Sequence, residues 1–133
     1  MTGMMALIGF TGWTLLLVFL VVGWRVLEVL RGRAANSWGR GTAIEVPGLL
    51  KRADHAHLNC LENLPIFAVI VLAAAAMDKN AVVDGLAIWV LYARVAQSVT
   101  HLLGTSGILV LIRATFYAVQ VALFAWMLWG LAA

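Results

Sequence analysis

The sequence predicts an all-α membrane protein: a four-transmembrane-helix up-down bundle occupying one domain over residues 1–133. Three observations carry that expectation. The composition is the first: 64% of the 133 residues are hydrophobic and 11% are charged, with a mean hydropathy of +0.99. A water-soluble domain carries about 25% charged residues and about 45–50% apolar ones. The second is four apolar segments that each reach the roughly 20 residues a bilayer-crossing helix needs. The third is that the connections between them are too short to hold a further domain.

The first helix is expected over about 4–30, around the apolar run from Trp13 to Trp24. Its start lacks the basic region and small-residue cleavage site of a signal peptide, so it reads as a retained helix. The second, about 48–77, is polar through Glu62 and fully apolar from Leu64 to Met77. The third and fourth cover about 81–103 and about 108–131. The first connection, Arg31–Val46, is Gly-rich and basic; the other two, Met77–Asn80 and Gly104–Gly107, are tight. Trp24, Trp38, Trp126 and Trp129 fall near helix ends, where interfacial aromatics belong.

The charges set an orientation. Arg31, Arg33, Arg40, Lys51 and Arg52 flank the first connection, while the second holds only Lys79. The positive-inside rule then places the first connection in the cytosol and both termini outside. A bacterial inner membrane is the expected location. The 9 Lys and Arg outweigh 6 Asp and Glu, but the arginines lie in or beside apolar segments rather than in a basic arm, so no nucleic-acid partner is expected. The single cysteine, Cys60, excludes an intrachain disulfide.

Ionisable residues inside membrane helices are costly and mark function. Helix one carries Arg25 and Glu28 late; helix two carries Arg52, His55, Asn59 and Glu62 early; helix three carries Arg94, Gln97 and His101 late; helix four carries Arg113, Tyr117 and Gln120 early. Up-down topology brings all four sets to the cytosolic half of the bilayer. The stripes on helices two, three and four use spacings of three, four and seven, which keep side chains on one helical face. Mutual neutralisation across helix contacts would explain any one of them. Three stripes at one depth instead predict a polar pocket open to the cytosolic interface. An excess of arginine over carboxylate suits an anionic, amphipathic ligand, because the guanidinium is always charged and its fork matches a carboxylate. Asn59 adds amide donors and an acceptor, and Glu62 can pair with an ammonium or an arginine.

The stretch from His55 to Phe67 resembles the signature of the MAPEG family, the membrane-associated proteins in eicosanoid and glutathione metabolism. The shared pattern is Ala56-His57-x-Asn59-x-x-Glu62 followed by Pro65 and Phe67, extending to Ala93 and Arg94 on helix three and to Arg113 with Tyr117 on helix four. The resemblance, to a bacterial-type member like the microsomal glutathione transferases, covers essentially the whole chain. It implies a homotrimer that binds glutathione, as co-substrate, between neighbouring subunits near the cytosolic face. It implies an enzyme of detoxification type: a transferase joining glutathione to hydrophobic electrophiles, or a peroxidase reducing lipid hydroperoxides. By position, Asn59 and Glu62 would hold the tripeptide with His55 and Gln97 nearby. Arg113 would be the catalytic arginine that stabilises the thiolate, with Tyr117 beside it, and Arg52 and Arg94 would supply positive potential. The helix-one arginine that contacts glutathione in relatives aligns with Arg25 or Arg31. The chain departs from the pattern at His55, where many relatives have Arg, and at Cys60, His101 and Ala114.

Other readings stand beside this one. A divergent or non-catalytic member of the same family would bind a lipid-like or other anionic ligand without turnover. A small four-helix transporter would want a carboxylate near the midplane and polar groups along a path; here the polar groups gather towards one end. No metal site is expected, since His55 and His57 point about 200° apart on a helix. Cys60 reads as a packing residue and His57 as bonded to a backbone carbonyl or neighbouring helix. Pro65 is expected to bend helix two and shape the pocket. Gly23, Gly85 and Gly104 are expected to permit close approach or a turn, and Asp78 and Asp84 to be solvated at the outer end.

Overall fold

The computed structural model describes residues 1–39 and 46–133. Arg40, counted above among the basic residues of the first connection, lies outside them. Four long helices account for most of the described residues, with no strand among them: α1 Gly3–Leu30, α2 Gly48–Ala76, α3 Asn80–Leu103 and α4 Gly107–Ala132. Each is long and apolar enough to cross a membrane. The chain is an integral, multi-pass membrane protein.

The helix ends show why the elements stop where they do. At the end of α1 the N–H of Arg33 reaches the Glu28 carbonyl at 3.0 Å and the N–H of Gly32 reaches Val29 at 3.0 Å. Gly32 sits at φ 103°, the left-handed residue this closing motif requires. The same motif ends α2: Lys79 N–H to Ala74 at 2.8 Å and Asp78 N–H to Ala75 at 3.4 Å, with Asp78 at φ 55°. Asp tolerates that region because its short polar side chain bonds locally. α3 begins one residue further on, so α2 and α3 form a tight antiparallel hairpin.

In α1, Ala6, Leu7, Phe10, Leu17 and Val21 are buried, a spacing of three, four and seven that turns one stripe inward. α1 packs on α2 and α3; α4 packs mainly on α3 and less on α2; the backbones of α1 and α4 do not approach closely. Phe67 of α2 joins the two sides, its ring 5.8 Å from Phe10 and 5.9 Å from Phe124 between centroids. Lipid is as apolar as these side chains, so close packing and not flight from water holds them. Ala53, Ala56, Ala74 and Ala87 are buried and, having only a methyl group, let the helices approach. α4 buries only Gln120, Phe124, Met127 and Leu131; its remaining surface is mostly apolar.

Gly104 lies in the turn that ends α3, as expected, whereas the close approach expected at Gly23 and Gly85 falls on other glycines. A Cβ on Gly23 or Gly85 would meet nothing within 4 Å, and one on Gly104 would meet Leu109 Cδ1 at 3.1 Å. At Gly130, by contrast, it would lie 2.7 Å from Val82 Cγ1. Pro65 sits within a continuous α2 and its side chain lines an apolar surface groove with Ile66, Val69, Ile70 and Leu128. Gly130→Ala should therefore destabilise the bundle by about 1–3 kcal/mol through overpacking against a stiff β-branched neighbour. Gly23→Ala should be neutral or stabilising, and thermal unfolding in detergent followed by circular dichroism checks both.

Candidate functional site

The polar stripes of α2, α3 and α4 meet in one cleft of about 320 Å³, lined by Asn59 and Glu62 of α2, Gln97 of α3, and Val110, Arg113, Ala114 and Tyr117 of α4. Gln97 lies six residues before the end of α3 and Arg113 six after the start of α4, each about 9 Å inside its helix end at 1.5 Å per residue. That shared depth follows from the short α3–α4 connection, which runs the two helices antiparallel. Glu62 and Tyr117 are exposed at the rim, Asn59 and Arg113 are half-buried, and Gln97 is buried. Arg113, Glu62 and Tyr117 form no hydrogen bond or ion pair among the described residues, which leaves a cation, a carboxylate and a phenol free for a ligand.

Gln97 is held from behind. Gln120, fully buried, donates from Nε2 to Gln97 Oε1 at 2.9 Å and to the Phe116 carbonyl at 3.1 Å. With its oxygen occupied, Gln97 has its amide N–H groups left for the cleft. Asn59 Nδ2 lies 3.5 Å from His101 Nδ1, a long contact. His101 is buried, and its ring centroid stands 6.0 Å from that of the exposed His55.

Three expected site residues stand elsewhere. Arg52 donates from Nε to the Leu102 carbonyl at 2.9 Å, satisfying one of the open acceptors at the end of α3. His55 lies beside His101 at the mouth of the α2–α3 contact rather than on the cleft wall. Arg94 is fully buried with its guanidinium 5.3 Å over the Phe10 ring, and none of its three nitrogens finds a hydrogen-bond partner among the described residues. Cys60 lies alongside it, with Tyr117 and Glu62 within electrostatic reach. Cys60 itself is buried, its Sγ 3.6 Å from Ser98 Oγ, in keeping with a packing role.

The helix-one set joins none of this. Arg25 Nη2 lies 3.9 Å from Asp54 Oδ2, and Glu28 binds Arg31 at 3.2 Å and Arg33 at 3.3 Å. Asp54 carried a signal that sequence reasoning passed over: it stands next to His55, off the stripe, and so faces α1. Asp84 is not simply solvated; its Oδ1 accepts from the Gly3 N–H at 2.6 Å.

The cleft offers a cation, a carboxylate, two amides and a phenol within one small opening, a set complementary in charge and hydrogen bonding to a zwitterionic, peptide-like anion. Arg52→Met should lower stability by about 1–3 kcal/mol, because it strips the Leu102 carbonyl of its charged donor. Arg94→Met should leave stability unchanged or raised, because a buried guanidinium without hydrogen bonds costs more than an apolar side chain of similar volume. Melting of the two variants in the same detergent separates these outcomes.

Comparison with known proteins gives one match: the family model described as MAPEG family covers residues 4–133, essentially the whole chain. No curated protein and no solved structure matches it.

Proposed function

The chain belongs to the MAPEG family, and on that premise we propose that it is a glutathione-dependent membrane enzyme. The family includes glutathione transferases and peroxidases alongside other members. The observation that carries the proposal is the cleft, where Asn59, Glu62, Gln97, Arg113 and Tyr117 converge with Arg113 and Glu62 unpaired among the described residues. Glutathione has two carboxylates, an ammonium, two peptide groups and a thiol. Arg113 faces its anionic groups, Glu62 its ammonium, and the amides of Asn59 and Gln97 its peptide units.

The chemistry follows from the same arrangement. A free thiol has a pKa of roughly 8.5, and the thiolate is the nucleophile. A guanidinium held in a poorly hydrated cleft favours the anion, so Arg113 raises the fraction of glutathione ready to react. In conjugation, the sulfur forms a bond to an electrophilic carbon and the leaving group departs with its electron pair. In hydroperoxide reduction, the sulfur attacks the terminal oxygen and the O–O bond breaks, giving an alcohol and a sulfenic acid. A second glutathione then yields the disulfide and water. The bilayer supplies apolar electrophiles and lipid hydroperoxides directly beside the sulfur.

The assembly proposed is a homotrimer, in which the apolar faces left bare by α4 meet neighbouring subunits and lipid. The membrane proposed is the bacterial inner membrane, with the basic first connection and the cleft towards the cytosol. Within the cleft the roles assigned are thiolate stabilisation to Arg113 and binding to Asn59, Glu62, Gln97 and Tyr117. His55, Arg52 and Arg94 contribute from its surroundings, both arginines through charge and Arg52 also through its bond to the end of α3.

Calorimetry of glutathione on detergent-purified protein tests the reading, with Arg113→Ala and Glu62→Gln as controls. Glutathione should bind, and Glu62→Gln should weaken binding about tenfold, the size of one charged hydrogen bond. Arg113→Ala should cut kcat/KM for chlorodinitrobenzene or a lipid hydroperoxide about 100-fold or more, as loss of a group that stabilises reacting charge does. No binding at millimolar glutathione by folded protein would overturn the assignment. Binding without turnover of either substrate would select the non-catalytic family member instead.

A further inference from the structure

Gln120 shares a helical face with Arg113 and Tyr117, yet it does not line the cleft; it lies behind it, fully buried. It stands thirteen residues after Gly107, the start of α4, about 20 Å along the helix at 1.5 Å per residue. A polar side chain so deep in an apolar slab is expensive and marks function. We infer that Gln120 is a positioning residue: it fixes Gln97 as a hydrogen-bond donor and so sets the direction in which a peptide group binds, carbonyl towards α3 and N–H towards α2. The inference rests on the reading of the cleft as a glutathione site.

The direction is fixed from the backbone outward. A glutamine amide carries two donors on its nitrogen and an acceptor on its oxygen, and it can turn either towards a neighbour. Beside Gln120 stands the Phe116 carbonyl of the preceding turn, an acceptor with nothing to donate. The nitrogen must take that side, and Nε2 lies 3.1 Å from the carbonyl. The second hydrogen of the same nitrogen goes to Gln97 Oε1 at 2.9 Å. Gln97 thus answers with its oxygen, which turns its own nitrogen towards the cleft that it lines. The reverse arrangement would set the Gln120 oxygen against the Phe116 carbonyl, acceptor to acceptor. Gln120 Oε1 finds no donor among the described residues, so the two bonds of the nitrogen alone give the pair its direction.

The two side chains reach each other because α3 and α4 run antiparallel. Each Cα–Cβ bond tilts towards the N-terminus of its own helix. Gln97, near the end of α3, therefore leans inward, and Gln120, deep in α4, leans back towards the helix start.

Across the opening the α2 wall has the opposite character. The Glu62 carboxylate accepts, and Asn59 has its Nδ2 towards His101 Nδ1 at 3.5 Å, which leaves Oδ1 as its atom for the cleft. Gln97, Arg113 and Tyr117 supply donors from α3 and α4. A trans peptide group points its N–H and C=O to opposite sides of one plane, and it matches these two walls in one direction. With Gln97 reversed, the peptide carbonyl would meet an oxygen on α3.

The chain has two glutamines, Gln97 and Gln120, so protein isotope-labelled in its glutamine side chains gives two amide groups by NMR, which Gln97→Met assigns. In the ligand-free protein the Gln120 amide should exchange its protons with water at least about tenfold more slowly than that of Gln97, since bonded, buried N–H groups exchange only on opening. Equal rates, or the opposite order, would overturn the inference. Gln120→Met, which roughly keeps the volume and removes the donors, should raise the Kd and KM for glutathione about five- to tenfold, the worth of one neutral hydrogen bond. Its kcat for chlorodinitrobenzene at saturating glutathione should stay within about twofold, because Arg113 is untouched. In a Gln97→Met background, Gln120→Met should have no further effect on Kd. Unchanged affinity in folded Gln120→Met, or losses that simply add in the double variant, would overturn the inference too. If the wild type binds no glutathione, the function proposed above fails, while the exchange order still decides which way the Gln97 amide faces.

Discussion

A peptide group in hydrocarbon has no water to turn to, and the helix ends feel that most. The first N–H groups and last carbonyls of each helix lack intrahelical partners, and in a thin apolar slab they need them from elsewhere in the fold. Here three charged side chains reach across to neighbouring helices to supply them. Asp84 of α3 takes the Gly3 N–H at the start of α1. Arg52 of α2 gives to Leu102 near the end of α3. Lys79, between α2 and α3, gives to Leu131 near the end of α4 at 2.9 Å. In each case the sign opposes the helix dipole, carboxylate at an N-terminus and cation at a C-terminus. These contacts clamp helix to helix at both faces of the bundle, where packing of methyl groups alone would leave the ends free to slide.

The same clamps define where ligands can go. α3 packs closely on every other helix, whereas the backbones of α1 and α4 stay apart. The bundle is consequently open on two sides of the α3–α4 pair. One opening is the polar cleft against α2. The other, lined by Gly9, Trp13, Leu91, Tyr92 and Phe116 among others, is larger and apolar. Gln97 and Ala96, adjacent on α3, face the two openings separately, as do Phe116 and Tyr117 on α4. One residue of helix rotation thus separates a polar environment from a lipid-like one, which suits chemistry between a water-soluble thiol and an apolar partner.

Much of this was legible in the residues themselves. Hydropathy sufficed for a four-helix membrane architecture, because a bilayer admits so few alternatives. The spacing of Asn59 and Glu62, and of Arg113 and Tyr117, was enough to put each pair on one face. What periodicity cannot supply is which neighbour that face meets. Arg52 shares the stripe with Asn59 yet lies two turns away, level with the end of α3, and is used there. Arg94 shares a stripe with Gln97 yet turns towards Phe10, because α3 is enclosed on that side. The helix-one charges reach the expected end of the bundle but the wrong side of α2. The glycines show the same limit: Gly23 and Gly130 look alike in sequence, and only the packing of Val82 against the latter distinguishes them. The MAPEG pattern added residue roles that no spacing rule contains.

The turn between α2 and α3 has a consequence for how the protein is made. With only Met77, Asp78 and Lys79 between the two helices, neither can settle across the bilayer while the other remains behind. They must enter together as a helical hairpin during biosynthesis. Its tip carries Asp78 and Lys79 with Asp84 one turn further on, so opposite charges cross side by side and partly cancel in transit. Gly104, Thr105 and Ser106 tie α4 to α3 just as closely, so the last three helices form one continuous unit, and Lys79 meets the Leu131 carbonyl once α4 has packed.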